Sequence, residues 1–231
     1  MKPNSITILT ACVCLSASAI SADAPNFQET FDVKKGELSS TGRSDYFVLE
    51  PGFVAVYEGE EEGEKMVLTI TVTDKTKTVD GVETRVVEEK ETANGKVVEI
   101  SQNYFVISKA TGDAYYFGED SVTYKDGKEV NREGSWLSGV AGAHFGLAMP
   151  GKPKVGDAYY QELAPKVAMD RAEVVSVSET LKTPAGEFKN CVKTKETTPL
   201  EKGTEYKLYA RGVGLVKDGE LHLVKYGPGA K

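Results

Sequence analysis

The chain has 231 residues, with 28 Lys and Arg against 35 Asp and Glu, 40% hydrophobic residues and a formal charge of −7. An acidic chain without a dense basic run argues against a surface for nucleic acid or an anionic membrane, because both need clustered Lys and Arg. Two His and three Cys are too few for a three-His or a four-Cys metal site. The composition therefore predicts an ordinary globular protein without a resident metal or cofactor.

The first residues have the pattern of a secretory signal peptide. Lys2 supplies a positive charge, and residues 6–20 form an uncharged apolar stretch. Cleavage after Ala22 is favoured, and two other small residues are alternatives, Ala19 and Ala24. The stretch is short for a transmembrane span and no later window approaches one. We therefore predict a signal peptide at residues 1–22 and an exported protein, periplasmic or extracellular, with no transmembrane segment after cleavage.

A lipid-attachment signal is the minority alternative. The sequence Leu-Thr-Ala-Cys that ends at Cys12 has the small-residue spacing of such signals. Cleavage before Cys12 would leave an unusually short hydrophobic segment, however, and the apolar run continues to Ile20. Without residues 1–22 the formal charge is −8 and one thiol remains, Cys191. The exported chain then has no intramolecular disulfide.

Residues 46–231 have the pattern of one β-rich domain, preceded by a polar leader at residues 23–45 that is either flexible or an irregular wrap. Residues 67–73 alternate between apolar side chains and Thr, which is the period of a half-buried strand. Four dipeptides indicate hairpin turns: Asp80-Gly81, Asn94-Gly95, Asp126-Gly127 and Asp218-Gly219. The fold class is predicted to be all-β and mainly antiparallel, with a strongly curved sheet or a partly closed barrel.

A Gly-rich segment interrupts the strand pattern. Residues 134–156 contain six Gly and two Pro, and this density predicts no strand or helix of ordinary length. Long irregular segments inside a compact domain are usually functional or disordered. We expect residues 134–162 to cover one face of the sheet, and residues 157–165 are the best candidate for a short helix.

Four sequence blocks occur in one order along the chain: YF-x-L-x-PG from residue 46, YFGED from residue 116, MP-x-x-P-x-VGD-x-Y-x-QE from residue 149 and YA-x-GVGLV from residue 209. This series resembles an uncharacterised family of secreted or periplasmic bacterial proteins. The resemblance implies an exported β-rich domain and no particular chemistry. His144 departs from the kind of residue expected at its position. The turn at residues 184–188 is more loosely similar to those of curved-sheet periplasmic proteins that hold lipids or lipoproteins.

Aromatic and polar side chains around the Gly-rich segment form the candidate ligand site. Aromatic rings with a few polar groups are typical of a small-ligand cleft. A buried plug that closes the sheet needs the same aromatic residues and is the alternative interpretation. The candidate residues are Trp136, His144, Phe145, Tyr160, Glu162 and Asp170.

Cys191 is the candidate reactive thiol. With regular strand alternation, Lys189 and Lys193 share its face, and neighbouring ammonium groups would lower the pKa of the thiol. An inert thiol on a covered sheet face is the favoured interpretation.

The sequence contains no motif for a catalytic nucleophile, a zinc hydrolase or a nucleotide-binding loop. We therefore expect a non-catalytic, exported binding or envelope-associated protein. Its partner is predicted to be a small apolar or amphipathic ligand, or an envelope protein. One alternative is a hydrolase that uses carboxylates near the Gly-rich segment. Another is a periplasmic metal-binding protein with soft ligands such as His144 and Met149.

Overall fold

The structure is a computed structural model that describes residues 25–230, and antiparallel strands dominate it. The predicted signal peptide and lipid-attachment site lie outside these residues. The regular elements are a short 3-10 helix (Lys35–Glu37) and the strands β1 (Leu38–Ser39), β2 (Gly42–Arg43), β3 (Val48–Leu49), β4 (Phe53–Glu61), β5 (Glu64–Val79), β6 (Val82–Ala93), β7 (Lys96–Ser108), β8 (Ala114–Lys125), β9 (Lys128–Asn131), β10 (Trp136–Leu137), β11 (His144–Met149), β12 (Ala158–Tyr160), β13 (Glu162–Leu163), β14 (Arg171–Thr183), β15 (Gly186–Thr197), β16 (Glu205–Ala210), β17 (Gly214–Asp218) and β18 (Leu221–Pro228). None of the described residues forms a helix with the length and hydropathy of a membrane span.

One large antiparallel sheet nearly closes into a barrel. Its strands follow the order β12-β14-β15-β16-β17-β18-β4-β5-β6-β7-β8-β11-β13. Strand β1 pairs with β7, strands β9 and β10 pair with β8, and β2 and β3 form a separate pair. The predicted all-β class with a strongly curved sheet or partly closed barrel is confirmed.

Three of the four predicted hairpin turns lie where the sequence predicts them. Asp80, Asn94 and Asp126 have φ angles of 49°, 50° and 52°, and each is followed by a Gly with positive φ. Two-residue hairpin turns require this conformation, which Asp, Asn and Gly accept at low cost. The last predicted turn is displaced by one residue, because β17 continues through Asp218 and the turn falls at residues 219–220.

The Gly-rich segment contributes a strand to the barrel wall, so the prediction that it holds no strand of ordinary length is wrong. Strand β11 lies within it and pairs with β8 on one side and β13 on the other. Six residues between flanking glycines are enough for pairing because both neighbours supply backbone partners. The helix predicted at residues 157–165 is also wrong, since those residues form β12 and β13.

The two edges of the sheet meet at a seam formed by residues 158–163. Strand β12 pairs with β14, and β13 pairs with β11, so one short segment joins both edges. The backbone N–H groups of Gln161 and Glu162 donate hydrogen bonds to the Asp170 carbonyl oxygen at 2.7 and 3.2 Å. A Cβ atom at Gly146 would lie 2.2 Å from the Gln161 carbonyl oxygen. The close approach of β11 to the seam therefore requires glycine at this position.

Residues 25–45, the described part of the polar leader predicted at residues 23–45, pack against the sheet as an irregular wrap. Gln28 forms a parallel bridge with Tyr159, and β1 pairs with the end of β7. Leu38 is buried, and the Arg85 guanidinium donates a hydrogen bond to the Ser40 carbonyl oxygen at 2.7 Å. These contacts tie the segment to β6, β7 and β12.

Gly146→Ala is expected to lower the free energy of unfolding by about 1–3 kcal/mol, because the added methyl group forces backbone apart at the seam. Urea unfolding followed by circular dichroism measures this change. Gly203→Ala is the matched control, since nothing lies within 4 Å of a Cβ atom there. Equal stability of the two variants would contradict the close contact at the seam.

Candidate functional site

The barrel contains a partly open cavity of about 280 Å³ whose lining changes from apolar to acidic along the strands. On β6 the inward side chains are Val87, then Glu89 and Glu91, because alternate residues of a strand share a face. On the neighbouring strand β7 the inward side chains also change from apolar, at Phe105, to acidic, at Glu99, and the chain runs in the opposite direction. The two strands are antiparallel, so like side chains lie at the same end of the cavity.

The apolar end is built around packed aromatic rings. Phe105 stacks on Tyr116 with ring centroids 4.5 Å apart, and Phe47 meets Phe105 edge to face at 5.2 Å. The Tyr57 hydroxyl also lies in this lining and donates a hydrogen bond to the Leu215 carbonyl oxygen at 3.0 Å. Aromatic and aliphatic walls of this kind favour apolar parts of a ligand.

The other end is lined by carboxylates that we call the acidic wall: Glu89, Glu91, Glu99, Glu119, Glu162, Asp170, Glu196 and Asp218. Among the described residues of the lining, Lys207 is the single basic side chain. The Lys207 Nζ atom lies 3.1 Å from Asp218 Oδ1 and 3.6 Å from Glu196 Oε2. One ammonium group thus faces eight carboxyl groups, and the lining keeps a large acidic excess.

Two pairs of acidic residues that include members of the acidic wall stand directly opposite each other on neighbouring strands. Glu91 is the register partner of Glu99, and Glu196 is the register partner of Glu205. Like charges in such positions destabilise a sheet. Sequence features that act against the stability of a fold are expected chiefly at functional sites, so these pairs mark the acidic end as the candidate site.

The acidic wall holds protons more tightly than exposed carboxyl groups do. Burial, with the nearby charge of Asp218, raises the pKa of Glu89 to about 8. Burial also raises the pKa of Glu91 to about 7, and Glu99 adds to this rise. The pKa of Glu119 is raised to about 7 by the same two causes, burial and the charge of Glu99.

The buried acidic surroundings also raise the pKa of Lys207 and of Glu162, for different reasons. Burial alone would lower the pKa of Lys207, but Asp218 and Glu196 raise it well above its usual value, so the ammonium group stays charged. Burial raises the pKa of Glu162, and the charges of Asp170 and Glu119 raise it further. At neutral pH the wall therefore contains both carboxylic acids and carboxylates.

Hydrogen bonds fix part of the wall in place. The Ser121 hydroxyl donates to Glu99 at 2.9 Å. Glu196 accepts hydrogen bonds from the Thr194 hydroxyl at 3.1 Å and from the Gln161 amide at 3.3 Å. The Gln161 contact connects the seam directly to the wall.

A second pocket of about 220 Å³ adjoins the acidic end. It shares Glu91, Lys207 and Asp218 with the main cavity and adds Glu61 and Glu205. Burial and neighbouring acids raise the pKa of Glu205 despite the opposing charge of Lys207. The acidic surface therefore extends toward the end of the barrel where the β4–β5 hairpin turns.

Two of the six residues predicted for the ligand site line the cavity. Glu162 and Asp170 belong to the acidic wall, and the seam hydrogen bonds bring their segments together. Trp136 is buried, with its ring 5.4 Å from that of Tyr116. Trp136 therefore packs against the lining residue Tyr116 and does not itself line the cavity.

The other three lie away from the cavity lining. Phe145 stacks on Phe117 with centroids 4.6 Å apart. Tyr160 is buried and meets the Phe27 ring edge to face at 6.0 Å. His144 is exposed at the start of β11. The buried aromatic rings correspond to the plug interpretation of the Gly-rich segment.

Cys191 is fully buried on β15. Asn190 has a φ angle of 54° and is skipped in the pairing with β14. The regular alternation assumed for Lys189, Cys191 and Lys193 is therefore interrupted by a bulge. Burial raises the pKa of the Cys191 thiol and Glu179 raises it further, so this environment corresponds to the inert-thiol interpretation.

Sequence reasoning missed most of the acidic wall. Glu89 and Glu91 continue the phase of Val87, which is a weak sign that they face inward. The intervening residues Glu88 and Lys90 are also charged, so periodicity does not identify the inner face. Among residues 25–230, no group of three or more His, Cys, Asp or Glu side chains is placed to hold a metal ion.

The fold and the cavity together define an antiparallel, nearly closed barrel with an amphipathic, acidic interior. Comparison with protein-family models and with curated protein sequences finds no match. Among solved structures, the chain is similar to a crystal structure described as a "putative lipoprotein" from Parabacteroides distasonis, with 15% sequence identity and a TM-score of 0.40. That similarity covers 81% of this chain and 100% of the other. The resemblance to a family of secreted bacterial proteins stays a prediction.

The free energy of unfolding is expected to fall as the pH rises from about 5 to about 8. Glu89 binds its proton more tightly in the folded state than in the unfolded state, so its stabilisation is complete below the unfolded pKa. It is lost as the pH rises through the folded pKa of about 8. One such group contributes a slope of up to about 1.4 kcal/mol per pH unit.

Urea unfolding at a series of pH values measures this slope. Glu89→Gln is expected to flatten it, because the amide does not titrate. Glu60→Gln removes an exposed carboxylate outside the cavity lining and is the matched control. An unchanged slope in Glu89→Gln would contradict the raised pKa.

Proposed function

We propose that the chain is an exported, non-catalytic, envelope-associated protein that binds a small amphipathic ligand inside the barrel. The observation that carries the proposal is the cavity of about 280 Å³, with an aromatic end and an acidic end. Small-molecule sites combine apolar and aromatic lining with polar groups that fix the orientation of the ligand. The signal-peptide pattern of residues 1–22 supports export.

The position of the cavity inside a nearly closed sheet also supports binding. Barrels of moderate size hold one small ligand between inward-facing side chains. Here the side chains come from strands that are distant in the sequence, including β6, β7 and β16. These three strands are each paired on both sides, which restrains the side chains that they contribute.

A hydrolase is the second candidate, and buried carboxyl groups favour it. Burial and neighbouring acids raise the pKa of both Glu119 and Glu162, and glycoside hydrolysis uses a carboxyl group with a raised pKa as its general acid, beside a second carboxyl group that is ionised. Native mass spectrometry of protein purified from its own host would identify a retained ligand. Added back to the pure protein, that ligand is expected to be recovered unchanged. Conversion to products that Glu119→Gln abolishes would favour the hydrolase.

Filling the cavity is expected to abolish binding of a neutral apolar probe. Ala148 lines the cavity, so Ala148→Phe should weaken binding of N-phenyl-1-naphthylamine at least about tenfold. Fluorescence titration measures the affinity, and circular dichroism confirms that the sheet is intact. If the variant does not fold, Ile70→Phe fills the same cavity.

Val177→Phe is the matched control. Val177 is exposed on β14, so this substitution adds an aromatic ring outside the cavity lining. Its affinity for the probe should equal that of the unchanged protein. Equal loss of binding in both variants, or no binding by the unchanged protein, would overturn the proposed function.

A further inference from the structure

We infer that the ligand is a cationic amphiphile, with its positive group against the acidic wall and its apolar part against the aromatic end. The inference rests on the proposed function, because it names the ligand class of that same cavity. Neither a neutral nor an anionic amphiphile would use the charge that the lining provides.

The charge balance of the lining carries the inference. Lys207 is the single basic group of the described lining and already forms ion pairs with Glu196 and Asp218. Within residues 25–230 the other carboxyl groups of the wall form no ion pair, including Glu91 and Glu99, which face each other across neighbouring strands. A ligand ammonium group would supply the missing partner, and ion pairs in a desolvated site are strong when both partners are present.

Glu89 lies at the boundary between the two ends of the cavity. Apolar Val87 precedes it on the inner face of β6 and Glu91 follows it. The charged groups whose fields act on it are Lys207, Asp218, Glu119 and Glu91. A positive group at this point would have apolar lining on one side and, on the other, the carboxyl groups of the wall together with the Lys207 ammonium group, which already forms ion pairs with Glu196 and Asp218.

Binding of a cation should release protons from the wall. Carboxyl groups that burial holds protonated become carboxylates when an ammonium ion approaches, since the opposite charge favours the ionised form. The protons pass to the buffer, and no covalent bond of the ligand changes. The affinity for a cation should therefore increase as the pH rises.

Trp136 lies behind the same wall and faces one of its carboxyl groups. Its side chain is only 6% exposed, and its indole Nε1 has no hydrogen-bond partner within 3.5 Å among residues 25–230. The acceptor that the indole N–H faces is Glu162, whose pKa it lowers against the larger effect of burial. Ionisation of Glu162 on cation binding would give this donor a stronger acceptor.

Isothermal titration with three probes of equal chain length tests the inference: n-octylamine, 1-octanol and octanoate. Near pH 8 we expect octylammonium to bind at least about tenfold more tightly than octanol, with octanoate weakest. Octylammonium affinity should fall at about pH 5.5. Its binding enthalpy should depend on the ionisation enthalpy of the buffer, which reports proton release.

Two variants distinguish the contribution of a wall carboxyl group to binding from that of the apolar cavity. Glu89→Gln should weaken octylammonium binding about tenfold or more and leave octanol binding unchanged, whereas Glu60→Gln should change neither. Equal affinities for octylammonium and octanol, or an unaffected Glu89→Gln, would overturn the inference and leave the proposed function standing. If neither probe binds, the proposed function fails as well.

Discussion

Closure of one long antiparallel sheet is the constraint on which the site depends. The closure is made at a seam where residues 158–163 pair with β14 on one side and with β11 on the other. Gly146 permits this approach because it has no side chain. Once the edges meet, inward-facing residues of distant strands share one space, and Gln161 at the seam bonds directly to Glu196 of the wall.

Closure also explains the unusual protonation of the interior. In an open sheet, the inner faces of β6 and β7 would be solvated, and Glu91 opposite Glu99 would cost little. In the barrel the same carboxyl groups are partly removed from water, so their neutral forms are favoured. Lys207 balances Glu196 and Asp218 but reaches no further ion pair among the described residues. The fold therefore keeps a charge imbalance that is unfavourable for stability and that the proposed cationic ligand would relieve.

The features that could be predicted from the sequence are those that neighbouring residues determine. Asp-Gly and Asn-Gly turns and strand alternation depend on neighbouring residues, so the β class and most hairpins could be predicted. The acidic wall depends on closure, which pairs β12 and β13 with strands that the periodicity does not connect. Glu162 and Asp170 were found because they adjoin the Gly-rich segment, whereas Glu89 and Lys207 had no such marker. The bulge at Asn190 likewise altered the surroundings of Cys191 without a clear sequence signal.

The two interpretations of the Gly-rich segment describe parts of one arrangement. Phe145 and Trp136 pack as a plug, yet Trp136 lies against Tyr116, which lines the cavity, and next to Glu162. The segment also contributes β11, the strand that carries Gly146 to the seam. Because the plug supports the lining and completes the wall, its packing determines the shape of the apolar end. In the proposed function, the hydrophobicity of this end and the acidity of the opposite end together select the amphiphile.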